Sequence, residues 1–391
     1  MMKETIYYVD RRDTDSLKWD GLKGVFGEEG LLPLWVADMD FRVPQSVIDA
    51  QKTYIDIGVF GYYQHGEGYY QAFQDWERER HGYEVKREWI RFAPGVVPAI
   101  NWIIQLFTQP EDHIMVLTPV YYPFMSAARD NNRKLVCCEL KNEGGQYSVD
   151  INAFERCIAE NSVKCFILCS PHNPVGRVWT KGELKAMLDI CKARGVLVIS
   201  DEIHQDITFG DHKHIPSAIV GDYDSMLVTL TTASKTFNIA GLQNAFTVIP
   251  DAGLREAYDG FTGHMHVTDG SALGYIAVEA AYRGGVPWLE EVKEIIWGNY
   301  CYAKEALEAG LPEVCVSPLE GTYLMWVDFS KYIRPDDMVD FFQRQARLAV
   351  GYGTRFEGNA ACHTRFNLAT SRENIEKAVK AILESHEGGR A

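Results

Sequence analysis

No run in these 391 residues stays apolar long enough to cross a bilayer, so a helical membrane protein is not expected. No internal repeat, low-complexity tract or flexible linker interrupts the chain. Positive charge is in short supply: 39 Lys and Arg stand against 54 Asp and Glu, a formal net charge of -15, which argues against a nucleic-acid surface. The nine cysteines, an odd number, are scattered through strand-like and helical stretches (Cys137, Cys138, Cys165, Cys169, Cys191). A disulfide framework is therefore not expected, and a reducing, cytoplasmic setting fits. The first twelve residues have no long apolar region followed by a small-residue cleavage site, so export is not expected either.

What is present is an ordinary globular balance, 46% hydrophobic and 24% charged, in a chain longer than one core usually serves. Strand-like runs (His113 to Leu117, Cys165 to Cys169, Val196 to Ile199) alternate with helical ones (Lys181 to Ala193). That alternation predicts an α/β fold with a mostly parallel sheet between helices. After Pro287 the pattern predicts a long helix to Ala309, a strand at Tyr323 to Val327 and a helix from Pro335 to Leu348. A last helix follows Thr370, capped by Thr370 with Glu373. The expected division is a large domain over 46–286 and a smaller α/β domain built from 1–45 and 287–391.

Several polar residues interrupt this apolar framework where a parallel sheet presents its carboxyl edge. The strand ending at Cys169 breaks into Ser170-Pro171-His172-Asn173-Pro174, and the strand Val196 to Ile199 runs into Ser200-Asp201-Glu202. A carboxylate there is expensive to leave unpaired, and a pyridinium nitrogen would hold Asp201 ionised. Asn173 could donate to a phenolate oxygen of the same ligand. Lys235, in Thr231-Thr232-Ala233-Ser234-Lys235-Thr236-Phe237-Asn238, follows another β-rich run and is placed to bond covalently to an aldehyde cofactor, pyridoxal phosphate being the obvious candidate. A Ser-Lys-Thr tripeptide alone is more often a solvated turn. The turn Gly95-Val96-Val97-Pro98 opens an amphipathic helix whose first amides could meet a phosphate, although any helix N-terminus would look the same. Arg365, in a strand pattern, would be satisfied by a substrate carboxylate or by a surface ion pair.

The ordered set Tyr121, Asn173, Asp201 and Lys235 closely resembles the fold-type I pyridoxal-phosphate enzymes of the aminotransferase class I/II superfamily. Pro33-Leu34-Trp35-Val36-Ala37-Asp38-Met39-Asp40-Phe41, Ser200 to Asp206 and Ser234 to Leu242 resemble its MalY/PatB-type carbon-sulfur lyase branch. The resemblance runs from about Leu31 to the end of the chain. It implies a ring stacked on Tyr121, a phosphate met by the amides of Val96 and Val97 and by the Thr232 hydroxyl, and a substrate carboxylate held by Arg365. It implies also that Tyr62 reaches the phosphate of a neighbouring subunit, so that active sites are shared in a homodimer. Trp35 could close over the substrate and Tyr122 could face it. Two positions depart from the superfamily's common pattern: Gln243 stands where an arginine often serves the phosphate, and His204 where a tyrosine often touches the phenolate oxygen.

The activity so implied is a cystathionine β-lyase or cysteine-S-conjugate β-lyase, releasing a thiol, pyruvate and ammonia from cystathionine and related thioethers. An amino-acid aminotransferase is the alternative within the superfamily. A regulatory role through binding another protein is the alternative of a different class. Metal binding is not expected: His264-Met265-His266 lacks a third ligand group, and Cys165, Cys169 and His172 read as packing around a buried strand.

Overall fold

The computed structural model describes residues 5–388. Seven strands form the principal sheet: β1 (Ile90–Ala93), β2 (His113–Thr118), β3 (Lys134–Glu139), β4 (Cys165–Cys169), β5 (Leu197–Asp201), β6 (Leu227–Thr231) and β7 (Ala245–Val248). They lie side by side in the order β1-β7-β6-β5-β4-β2-β3. All run parallel except β7, which is antiparallel to both its neighbours. The central strand β4 shows why the run Cys-Phe-Ile-Leu-Cys forms a strand buried on both faces. Phe166 and Leu168 enter the core on one side of the sheet, and Cys165, Ile167 and Cys169 the core on the other.

Helices cover both faces. Lys181–Arg194 begins at Thr180, whose hydroxyl accepts from the Glu183 N–H while the Glu183 carboxylate returns to the Thr180 N–H. It buries Leu184, Met187, Leu188 and Cys191, one stripe at helical spacing, and stops at Gly195, which takes the left-handed conformation, φ 65°. A second sheet follows: β8 (Cys315–Val316), β9 (Leu324–Asp328), β10 (Gly351–Tyr352) and β11 (His363–Asn367), antiparallel and ordered β8-β9-β11-β10. Between the sheets lies one continuous core, reaching from Phe73 and Phe246 to Tyr323 and Phe366.

Two expectations need correction. The stretch from Pro335 is not one helix ending at Leu348: a short turn at Pro335–Asp337 and a wider helical turn at Asp340–Gln345 end before Arg347, φ 56°. Leu348–Ala349 is instead extended and pairs in parallel with Leu32–Pro33, so the strand pairing that ties the N-terminal segment down overrides helical continuation. At the last helix, Arg372–Gly388, the cap is Ser371, whose Oγ accepts from the Asn374 N–H at 3.3 Å. Thr370 Oγ1 accepts from the Asn374 side chain, and Glu373 pairs with Lys377.

The N-terminal segment is further held by a fully buried ion pair, Lys18 Nζ to Asp40 Oδ2 at 2.7 Å, with the Trp19 indole N–H donating to Asp40 Oδ1 at 2.9 Å. Removing Lys18 would leave the buried Asp40 to the longer contact with Arg11, 3.6 Å from Oδ1, and to the Trp19 indole. Lys18→Met should therefore cost about 3–5 kcal/mol, read as a lower chemical-denaturation midpoint. The double change Lys18→Met/Asp40→Asn should recover most of that loss; no recovery would mean that packing, and not the stranded charge, sets the cost.

Candidate active site

Strands β4, β5 and β6 bring Asn173, in the loop after β4, Asp201, the last residue of β5, and Lys235, in the short helix after β6, to one edge of the sheet. After β6, Thr232 caps the short helix Ala233–Thr236 that presents Lys235. The lysine is half-buried and its ammonium donates to the Ala37 carbonyl at 2.6 Å. Burial pushes it down to about 8, with Arg365 acting the same way and the charges of Asp38 and Asp201 opposing. Asp201 is buried and accepts from the Ile203 N–H at 3.0 Å. Among the described residues it forms no ion pair, and burial pushes its carboxyl up to about 7 against the influence of Lys235.

Arg365, from β11, is buried without an ion-pair partner among the described residues. Its Nη1 donates to Asn173 Oδ1 at 3.0 Å and its Nη2 to the Trp35 carbonyl at 2.7 Å, while Nε has no acceptor. Burial lowers its pKa. Because Asn173 spends its oxygen on Arg365, its side-chain N–H groups remain for another acceptor. The phenol of Tyr121 is pushed up to about 12 by burial, with the charges of Arg365 and Asp201 among its other influences, and its ring lies 5.4 Å from that of Tyr122. Tyr122 is exposed and meets Phe356 edge-on. His204 is buried, edge-on to Tyr323, with Nδ1 unpartnered; burial, reinforced by Lys235 and Arg365, pulls it well below the ordinary imidazole value and leaves it neutral.

The helix Val96–Phe107 opens at Gly95, and its first amides, those of Val96 and Val97, have no acceptor within the helix. The Thr232 hydroxyl is already engaged: it donates to the Asn244 carbonyl at 2.5 Å and accepts from the Ser234 N–H at 3.0 Å. Ser234 Oγ, 2.9 Å from it, is a hydroxyl that the motif reading passed over. The Trp35 indole packs against Phe26 and donates to the Lys18 carbonyl, so the part of Trp35 that touches Arg365 is its backbone oxygen. Tyr62 is fully exposed, in a segment that also exposes Ile57, Val59 and Phe60. Of the discounted constellations, His172 is hydrogen-bonded to the Pro119 carbonyl at 2.8 Å, and His264 ends the helix that begins at Ala252.

Sequence reasoning also missed what fastens the site. Asn367 Nδ2 donates to the carbonyls of Val36 and Asp38, and the Tyr323 hydroxyl to that of Ala37. Asn238 grips Met39 and Phe41. The buried Asp206 carboxylate takes the Thr236 hydroxyl at 2.7 Å, the Trp76 indole and His81. Each looks like a core or loop residue in one dimension. Among the described residues, a buried carboxylate and a buried guanidinium without ion pairs, an amine near them and helix-start amides with no acceptor in their helix are the acceptor and donors that an aromatic, ring-protonated aldehyde phosphate and an amino-acid carboxylate would satisfy.

In the ligand-free chain Asp201 is a stability cost with a defined pH window. The folded form keeps its proton up to about pH 7, whereas an unfolded Asp releases it near about 3.9. The folded state thus binds more protons between those values and loses stability as pH rises through them. Asp201→Asn should be more stable than the parent at pH 8, with the gap closing toward pH 4. Melting curves of cofactor-free protein across that range measure it; a pH-independent gap would contradict the assignment.

A family model described as aminotransferase class I and II matches residues 30–382. The chain is 37% identical over 380 residues to cystathionine beta-lyase PatB of Bacillus subtilis (strain 168), covering 96% of this chain and 98% of that one. It is 31% identical over 382 residues to protein MalY of Escherichia coli (strain K12), covering 96% and 97%. Its fold is similar to that of the PLP-bound C-S lyase of Staphylococcus hominis, with a TM-score of 0.92, 34% identity and 97% of each chain covered.

Proposed function

The chain belongs to the aminotransferase class I and II family, and from that premise we propose that it is a pyridoxal-phosphate-dependent carbon-sulfur β-lyase that cleaves L-cystathionine and related cysteine thioethers. The observation that supports the cofactor is the convergence at one sheet edge of the Lys235 amine, docked on the Ala37 carbonyl at 2.6 Å, and the buried Asp201 carboxylate, which forms no ion pair among the described residues. Relatives named for cystathionine and C–S bond cleavage, aligned over nearly their whole lengths, support the reaction class.

In this reading Lys235 would attach the cofactor, Asp201 would hold a proton on its ring nitrogen, Asn173 would donate to its phenolate oxygen and Tyr121 would stack on its ring. The amides of Val96 and Val97 and the Ser234 hydroxyl would receive the phosphate, joined by Thr232 once its hydroxyl turns from the Asn244 carbonyl, and His204 stays neutral against Tyr323. When bound, pyridoxal phosphate supplies the electron sink that makes the substrate α-proton acidic. Arg365 fixes the substrate α-carboxylate through a bidentate contact, and the released Lys235 amine removes the α-proton. The β-carbon–sulfur bond then breaks with its electron pair leaving on sulfur, and water completes the products: homocysteine, pyruvate and ammonia. A long thioether arm passes Tyr122 and Phe356 toward solvent.

Purified protein given L-cystathionine should release thiol and pyruvate in equal amounts without a keto acid. Pyruvate release that depends on added keto acid would move the protein to the aminotransferase reading. Lys235→Ala should abolish turnover, and borohydride should tag Lys235 and no other lysine in the parent. Asp201→Ala should lower kcat about a hundredfold, the scale of roughly 3 kcal/mol of lost electrostatic stabilisation.

The working unit proposed is a homodimer with shared sites. Gln243 brings no cation to the phosphate, and the exposed Tyr62 points away from its own chain's core among exposed apolar neighbours, as a side chain serving a second copy would. Mixing inactive Tyr62→Phe and Lys235→Ala proteins should then restore part of the activity through hybrid dimers. A fully active monomer in sedimentation would contradict it.

A further inference from the structure

The Ala37 carbonyl is an unusual acceptor. It receives the Lys235 ammonium at 2.6 Å and the Tyr323 hydroxyl at 2.8 Å, while the peptide units on either side are pinned by Asn367 through the carbonyls of Val36 and Asp38. The next carbonyl toward the N-terminus, Trp35, is held by Arg365. The oxygen therefore has little freedom to follow one donor at the expense of the other. Tyr323 is itself immobilised, fully buried just before β9 and edge-on to His204 at 5.6 Å.

We propose that Tyr323 is a positioning residue for proton transfer by Lys235: by occupying part of the Ala37 carbonyl, it keeps the released amine docked but weakens its hold on a proton. A carbonyl that already accepts one strong hydrogen bond has less negative charge to offer an ammonium, so the neutral amine, the form that takes the substrate α-proton, is favoured. With Tyr323 replaced by Phe, the whole oxygen falls to Lys235 and the ammonium gains. The inference deepens the reading of Lys235 as the proton carrier and rests on it.

The other groups facing the amine are accounted for. Asp38 and Asp201 favour its charged form and Arg365 opposes it; His204 is neutral. The Tyr323 phenol, raised well above its ordinary value by burial, with the Asp38 charge adding to this, stays protonated and is a hydrogen-bond donor across the working range. Of these, Tyr323 is the group whose donor strength can be changed without altering a net charge.

The test titrates the amine directly. Full-length protein freed of cofactor is labelled briefly with an amine-acylating reagent at a series of pH values, and the extent at Lys235 is read by peptide mass spectrometry. The parent should show a midpoint near about 8, following the burial of the amine. Tyr323→Phe, which keeps the ring against His204, should raise that midpoint by about half a pH unit or more. A ring-fluorinated tyrosine installed at 323, a stronger donor of nearly the same shape, should lower it. In the cofactor-loaded enzyme the acid limb of the kcat profile should move in the same two directions. Unmoved midpoints in both variants, or shifts of the same sign, would overturn the proposal. If Tyr323→Phe fails to fold, the fluorinated protein alone decides, since its predicted direction is opposite to any loosening of packing that exposes the amine. Activity surviving in Lys235→Ala would instead sink the reading of Lys235 as the base, while the labelling midpoint could still respond to Tyr323.

Discussion

A guanidinium kept in the interior without a carboxylate governs how the rest of this site is arranged. Arg365 stands on the second sheet, reaches the loop after β4 through Asn173 and the N-terminal segment through Trp35, and lies over the Phe356 ring at 5.0 Å. A buried charge of this kind must be surrounded by acceptors or it is not tolerated. Here two neutral oxygens supply the minimum, and both come from segments far apart in sequence. Meeting that need brings the ends of the chain against the carboxyl edge of the principal sheet. It also sets the orientation of the Asn173 amide, because its oxygen faces Arg365 and its N–H groups are left to face the pocket.

The same economy recurs along residues 35–41. Four successive carbonyls, from Trp35 to Asp38, accept from Arg365, Asn367, Lys235 and Tyr323, and Asn238 takes up Met39 and Phe41. The two stretches whose wording most resembles the lyase branch are thus in direct contact. Ser234 to Leu242 carries the lysine and the asparagine, and Pro33 to Phe41 carries the backbone that both of them bind. On the opposite side, Asp206 anchors the lysine-bearing turn through Thr236, joining the third stretch, Ser200 to Asp206, to the same assembly. Their joint appearance in one chain is informative because each is the hydrogen-bond complement of another.

What was legible in one dimension follows from this. The principal sheet could be read because strands buried on both faces are continuous apolar runs, as β4 is throughout and β5 is up to Ile199. The place of Asp201 at the end of a buried strand could be read from the apolar run ahead of it, and that of Arg365 within a strand from its neighbours, whereas Lys235 stands beyond its strand in a short helix that no local pattern marks. Tyr323 could not: an aromatic beside an apolar strand is core by default, and only its hydroxyl's partner distinguishes it. Trp35 misled in the opposite sense, since its place in the motif suggested a lid, whereas its indole is tied to Lys18 and its carbonyl touches Arg365. The stretch ending at Leu348 had helical spacing, but its pairing partner Leu32–Pro33 lies more than three hundred residues away in sequence and leaves no local trace.

Burial holds the groups that perform chemistry here away from their ordinary protonation behaviour, at a cost to stability. Burial moves Lys235 and Asp201 toward each other in pH, from ordinary values far apart to about 8 and about 7, and pulls His204 well below its ordinary value. A ligand that pairs with Asp201 and Arg365 returns what burial removed, so binding and folding stability are linked in this pocket. That linkage does not decide between elimination and transamination, because Arg365, Asp201 and Lys235 serve the first half of either reaction. The two outcomes part over what becomes of the proton that Lys235 has taken. Elimination proceeds while the amine holds that proton, whereas transamination requires its delivery to a second carbon. A carbonyl that docks the amine, itself held by three neighbouring segments, therefore bears on the outcome more directly than any residue that merely binds the substrate.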